Sequence, residues 1–254
     1  MEPSPWAWEP AWPQVGAVLA LAAAYGLSLR GRPASGVRRV AFGAGALLLV
    51  IVFVTPLQTL STRYLLSAHL LQNVVLAEWA PALLVLGVGP ALAASLARFG
   101  PLRALARPLV ALPLWLATYV LWHVPAAYDA ALRHQGSLLL VEHACYVLAG
   151  IALWWPVFQP EPFALRPGVK AGYLFAAFLL ASPIGLLLAL LPSPIYDFYE
   201  AAPRIWDLAP LRDQQIAGIV MSGTEAIVFF GLFALYFVRF LEEEDRAQAP
   251  ASRP

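Results

Sequence analysis

His69, His123, His134 and His143 are the four histidines of this chain, and each falls at or near the end of an apolar segment. Imidazole nitrogen suits zinc, copper, iron and nickel. His69 opens the stretch HLLQN; Gln72 and Asn73 follow three and four residues later, so all three share one helix face. Gln72 and Asn73 read equally well as hydrogen-bonding glue between helices. His123 follows Trp122, and Pro125, Tyr128 and Asp129 come next in an expected loop. Glu142 and His143 stand side by side one to two turns into another segment. The Glu142 carboxylate suits either the orientation of a ligating imidazole or a place near a helix N-terminus. His134 reads as a solvated loop residue, and Cys145, the single cysteine, as a small buried hydrophobe.

The stretch DQQIAGIVMSGTE carries a second pattern. Asp213 suits a helix start. Gln214, Gly218, Met221 and Glu225 are spaced four, three and four residues apart and form one stripe. Met221 is the only methionine besides Met1. A thioether is a soft ligand that selects Cu(I), although a lone buried methionine is ordinarily core. Glu78 and Glu225 are intramembrane acids, each costly in lipid. They read as a pair sharing one proton, or as polar glue. Glu78 lies nine residues past His69, on the opposite face of a straight helix, unless Pro81 kinks the chain.

The elements that must position these residues are apolar. The 254 residues are 61% hydrophobic and 12% charged, with a mean hydropathy of +0.70; a soluble domain is about 25% charged. Seven apolar segments run over about 14–30, 40–55, 65–90, 109–123, 137–158, 171–192 and 214–240, separated by Pro, Gly and Arg. The expected fold is therefore all-α: a polytopic bundle of seven transmembrane helices in a lipid bilayer. Residues 1–13 form an N-terminal segment with Trp anchors. Residues 14–240 form one transmembrane domain, and residues 241–254 a disordered cytoplasmic tail. The acidic, aromatic N-terminus does not read as a signal peptide. No internal repeat of the kind found in transporters is evident.

Basic residues set the orientation. With the N-terminus outside, twelve of the sixteen Lys and Arg fall on the inside, and only Arg63, Arg133, Arg204 and Arg212 fall outside. The N-terminus is thus expected out and the C-terminus in. All four histidines then lie toward the outer face. His69, His123, His143 and Met221 come from four different segments and together suit copper, as Cu(I), better than oxygen-seeking magnesium or calcium. No closed Cys/His set for structural zinc exists. A net charge of +1 offers no surface for nucleic acid. The metalloprotease motif HExxH and the nucleophile elbow GxSxG are both absent, so no enzyme is indicated.

WHVPAAYDAAL at 122–132, the Glu142–His143 pair, WWPVF at 154–158, LPSPIYDFY at 191–199 and PLRDQQIAGIVM at 210–221 resemble the motifs of the CtaG family of bacterial cytochrome c oxidase assembly factors. HLLQN and LLVLGVGPAL fit that family's third helix, and the likeness runs from about residue 40 to 240. The resemblance implies a multi-pass protein of the bacterial plasma membrane that serves the respiratory chain. It would act as a metallochaperone, taking copper from a donor of unknown identity and delivering it to haem–copper cytochrome c oxidase subunits. It implies His69, His123, His143 and Met221 as copper ligands, supported by Asp213 and Gln214. One departure stands out: many members carry a second histidine where this chain has Asn73. Two other readings remain open from the residues: a membrane cytochrome holding haem between two histidines, and a copper transporter using Glu78 and Glu225.

Overall fold

The computed structural model describes residues 3–248 and is all-helical, with no strand among the described residues. In chain order the helices are α1 (Trp12–Ser28), α2 (Gly36–Val54), α3 (Pro56–Arg63) and α4 (Leu66–Gly87). The short α5 (Pro90–Leu96) and α6 (Gly100–Leu105) come next, then α7 (Pro108–His123), α8 (Pro125–Arg133) and α9 (Leu138–Phe158). The last three are α10 (Pro167–Leu190), α11 (Asp197–Ala201) and α12 (Pro210–Gln248). Proline in the first turn opens α1, α3, α7, α8, α10 and α12, where its missing N–H costs nothing and its fixed φ already suits a helix.

Five helices, α2, α4, α9, α10 and α12, are long and apolar enough to cross a membrane; α7 and α8, bent by 73° at Val124, would together make a sixth. The first and fourth expected segments are the short ones: α1 has 17 residues and α7 has 16, against the roughly 20 of a straight crossing. Tyr128 and Asp129, expected in a loop, lie on helix α8. The expected disordered tail is helical as far as Gln248; residues 249–254 lie outside the described residues.

Two sets of contacts define the ends of the bundle. At one end, the start of α1 meets the end of α2 through Ala11 N–H and the Phe53 carbonyl (2.9 Å). The starts of α4 and α12 meet there through Asp213, whose carboxylate accepts the N–H groups of Leu66 (2.7 Å) and Ser67 (3.1 Å). All four histidines are at this end. At the other end, Arg38 donates to the carbonyls of Leu86 and Val88, and Gln159 to those of Val85 and Val88. These donors meet carbonyls at the end of α4, where intrahelical partners run out; that of Val85 also accepts the Val88 N–H.

α4 is the centre of the bundle, 72% buried over its apolar window against 39% for α2 and α10. α4 and its neighbours approach closely where one of them offers glycine. Gly87 lies against the backbone of Phe42, Gly45 against Ala80, and Gly150 against Ala77, the small-residue packing that membrane bundles favour. Pro81 does not break α4. The helix widens instead into a π turn over Val75–Trp79. Proline clashes with the carbonyl four residues earlier, here that of Ala77, and the wider turn relieves the clash while Gly150 receives the carbonyl. A second π turn, Ala226–Phe230, interrupts α12 directly after Glu225.

Gly150→Ala drives a methyl into the Ala77 backbone, an overpacking expected to cost about 1–3 kcal/mol. Gly172→Ala, which meets nothing within 4 Å, is expected to be neutral or stabilising. Thermal unfolding of the detergent-solubilised protein, followed by circular dichroism, checks both. Asp213→Ala strips the cap from α4 and is expected to cost about 1–2 kcal/mol in the same assay, in the range of lost N-caps.

Candidate metal centre

His69, one turn into α4, has no exposed surface. Its Nδ1–H donates to the Ser61 carbonyl at 3.3 Å, and its Nε2 faces Glu142 Oε1 at 3.4 Å. Asn73, one turn deeper on the same face, donates through Nδ2 to the same Glu142 oxygen at 3.2 Å. Glu142 Oε2 and Asn73 Oδ1 have no protein partner, although both are buried. His143, next to Glu142 on α9, has its ring 6.5 Å from that of His69 and 5.3 Å from that of Phe53. Its Nδ1 receives the Gln14 side-chain amide from α1 at 3.3 Å, and its Nε2 has no partner. Two buried imidazoles, a carboxylate and an amide thus meet with several polar atoms unpaired. Unpaired buried polar atoms are uncommon and call for an occupant or a reason.

His123 ends α7 a little apart. Its Nδ1–H donates to the Tyr119 carbonyl at 2.7 Å, which leaves Nε2 as a free lone pair that no protein group meets. Tyr128 stands between the two groups, 5.1 Å from the His69 ring and 6.2 Å from the His123 ring. Among the described residues, no three His, Cys, Asp or Glu side chains converge on one point that could hold a metal ion. The arrangement is a histidine pair with one carboxylate, and a third histidine behind a tyrosine.

Met221 and the supporting residues divide by what they touch. Counting from Asp213 and Leu66, Met221 lies level with Val74, about 7 Å deeper along the helices than His69 at 1.5 Å per residue. It is buried in the apolar core. His134 is exposed and bonds the Ala130 carbonyl, as a solvated residue should. Cys145 is half-buried and packs against the core.

Gln72, Asp129, Asp213 and Gln214 act as clamps. Gln72 donates to the Val52 carbonyl (2.9 Å) and Gln58 Oε1 (2.7 Å) and accepts from Ser61 Oγ (2.9 Å), tying α4 to α2 and α3. Asp129 accepts the Phe198 N–H at 3.2 Å. Gln214 accepts the Ile195 N–H (2.9 Å) and donates to the Ser193 carbonyl (3.2 Å), holding the chain that leads into α11.

That chain delivers residues that no local pattern singled out. Tyr196 stacks on Tyr128 at 4.1 Å and donates to the His123 carbonyl at 3.1 Å. Tyr199 donates to the Ser61 carbonyl, the same atom that receives His69 Nδ1. Burial raises both phenols well above their ordinary range, so they remain donors throughout the physiological range. Gln14 was missed because it lies at the start of a plain apolar segment. The tyrosines were legible only as part of LPSPIYDFY, with no spacing to assign a role.

The family model described as cytochrome c oxidase caa3 assembly factor (Caa3_CtaG) matches residues 18–243. No curated protein and no solved structure matches the chain. The match takes in both sides of the histidine pair and the clamps that hold it; of the residues that touch the pair, Gln14 falls outside. The chain belongs to the cytochrome c oxidase caa3 assembly factor family.

Proposed function

We propose that this assembly factor holds a copper ion, as Cu(I), between His69 and His143 and passes it to an oxidase subunit. The observation that carries the reading is the set of unpaired donors around Glu142. The His69 and His143 rings are 6.5 Å apart, room for one ion with a metal–nitrogen bond of roughly 2 Å on each side. Glu142 faces His69 Nε2 with one oxygen and keeps the other free. A neutral imidazole pair suits Cu(I), and the free carboxylate oxygen is available as a further donor. Asn73, in the place where many members of the family have histidine, is a poor copper ligand. It leaves the site with fewer nitrogens, which favours release over retention. Copper is cargo here, and the protein performs no turnover chemistry.

The seven apolar segments support seven crossings, with α1 and the bent pair α7–α8 added to the five long helices. The charge bias of the connecting segments supports an outward-facing histidine end. The copper donor and the oxidase subunit would then meet the protein at the outer face of a bacterial plasma membrane. A groove there, lined by Glu9, Gln14, Gln58, Arg63 and Gln135, reaches Gln14 and so leads to His143.

Detergent-purified protein loaded anaerobically with Cu(I) is expected to retain about one copper, the capacity of a single two-imidazole site. Metal analysis should find that copper lost in His69→Ala/His143→Ala. Glu142→Gln should weaken retention by about 10–100-fold, as loss of a ligand-orienting carboxylate does. Asn73→His should strengthen it. Wild-type protein that retains no copper would overturn the assignment, and a Soret band in the same samples would replace it with haem. A second prediction concerns orientation: a green fluorescent protein fused at residue 248 should fluoresce in the cytoplasm. A dark fusion, with alkaline phosphatase active at the same position, would reverse the topology.

A further inference from the structure

Glu78 and Glu225 lie outside the histidine site, fully buried at one depth in the middle of the bundle. Asp213 fixes their depth. It caps Leu66, and each glutamate lies twelve residues further along its helix, from 66 to 78 and from 213 to 225. At 1.5 Å per residue both carboxyls are roughly 18 Å below that cap, near the midplane of a hydrocarbon layer about 30 Å thick. They are close enough to interact electrostatically, and neither has any exposed surface.

The pair has a single donor. Tyr119 of α7 donates its hydroxyl to Glu225 Oε1. Glu225 Oε2 and both oxygens of Glu78 have no partner. From the other helices packed around them, α9 contributes Tyr146, whose ring is 6.3 Å from Tyr119 and whose hydroxyl is also unpaired. Glu142 and His143 on α9 lie closer to the histidine end. α2 has only Arg38 and Arg39, at the opposite end, and α10 only Lys170 and Tyr173, in its first two turns. The next basic residue on α12, Arg239, is fourteen residues beyond Glu225, roughly 21 Å along the helix. Among the described residues, no cationic side chain is therefore positioned to neutralise the carboxyls.

We propose that Glu78 and Glu225 hold one proton between them, forming a proton-binding site at mid-bundle that is separate from the metal centre. Two buried carboxylates within electrostatic reach of each other and with no countercharge cannot both stay ionised in a dry interior. A proton on Glu78 directed at Glu225 Oε2 supplies the missing donor and joins α4 to α12. A metal ion is a poorer occupant. Three free oxygens and a hydroxyl already engaged as donor fall short of the six or more oxygens that hard cations take. The two π turns supply an independent sign of function. One contains Glu78 and the other begins at the residue after Glu225, and π turns recur at functional sites.

The proposal does not depend on copper, and metal-free protein tests it. Infrared spectra of the full-length protein in lipid nanodiscs at neutral pH should contain the C=O stretch of a protonated carboxyl, shifted in D2O. The band should vanish in Glu78→Gln/Glu225→Gln. It should move in Tyr119→Phe, which removes the one donor to Glu225 while leaving the helix packing intact. If the double variant does not fold, Glu225→Gln alone should shift the band, because Glu78 then meets an amide. Absence of the band in wild type, or a band unchanged in these variants, would overturn the proposal.

Discussion

The central helix is polar where it is most buried, and that constraint organises the molecule. α4 carries His69, Gln72, Asn73 and Glu78, all almost completely removed from solvent. In a membrane no water reaches such groups, so every donor and acceptor must be met from within. Gln72 meets this demand fully, with three hydrogen bonds to α2 and α3. His69 and Asn73 meet it in part, through Ser61 and Glu142. Glu78 meets it not at all among protein groups. One face of α4 thus carries a structural clamp between the two residues of the candidate metal centre, and the unsatisfied acid lies deepest.

The short helices follow from the same demand. α3, α8 and α11 bring polar partners to the histidine end. α3 brings Gln58 and Ser61, α8 brings Tyr128 and Asp129, and α11 brings Tyr199. Asp129 and Gln214 then fasten α11 and the chain before it. Tyr128 and Tyr199 flank His69 and Tyr196 stacks on Tyr128, with hydroxyls that point at backbone or remain free. Burying aromatic rings beside imidazoles excludes water and lowers the local dielectric, which strengthens the interaction of any bound cation with Glu142.

The apolar side of the ledger is conventional for a bundle in lipid. Glycines at 45, 87, 150, 185 and 218 let backbones touch, and indole and phenyl rings fill the remainder, as where Trp154 stacks on Phe229 at 5.2 Å. The π turns break this regularity in two places, each beside a carboxyl group. A wider turn shifts the register of every side chain beyond it. Glu78, expected opposite His69 on a straight helix, lies inside the first of these turns.

The all-helical class, the approximate segment limits and the gathering of four histidines at one end were all legible in the chain. They depend on local quantities: the length of apolar runs, the placement of proline and the parity of crossings. The shared face of His69, Gln72 and Asn73 was legible for the same reason, since helical period alone determines it. Which of those residues clamp and which stay free was not. The contacts of Glu142 with His69, of Gln14 with His143 and of Tyr119 with Glu225 join positions 73, 129 and 106 residues apart. Asp213 and Gln214 read as supporters of a metal and proved to hold α4 and the chain before α11, because their partners are backbone groups that carry no side-chain signature. Tertiary structure alone decided those pairings: a hydrogen bond depends on a few ångströms of helix placement, and helical period fixes a residue's face but not what packs against it.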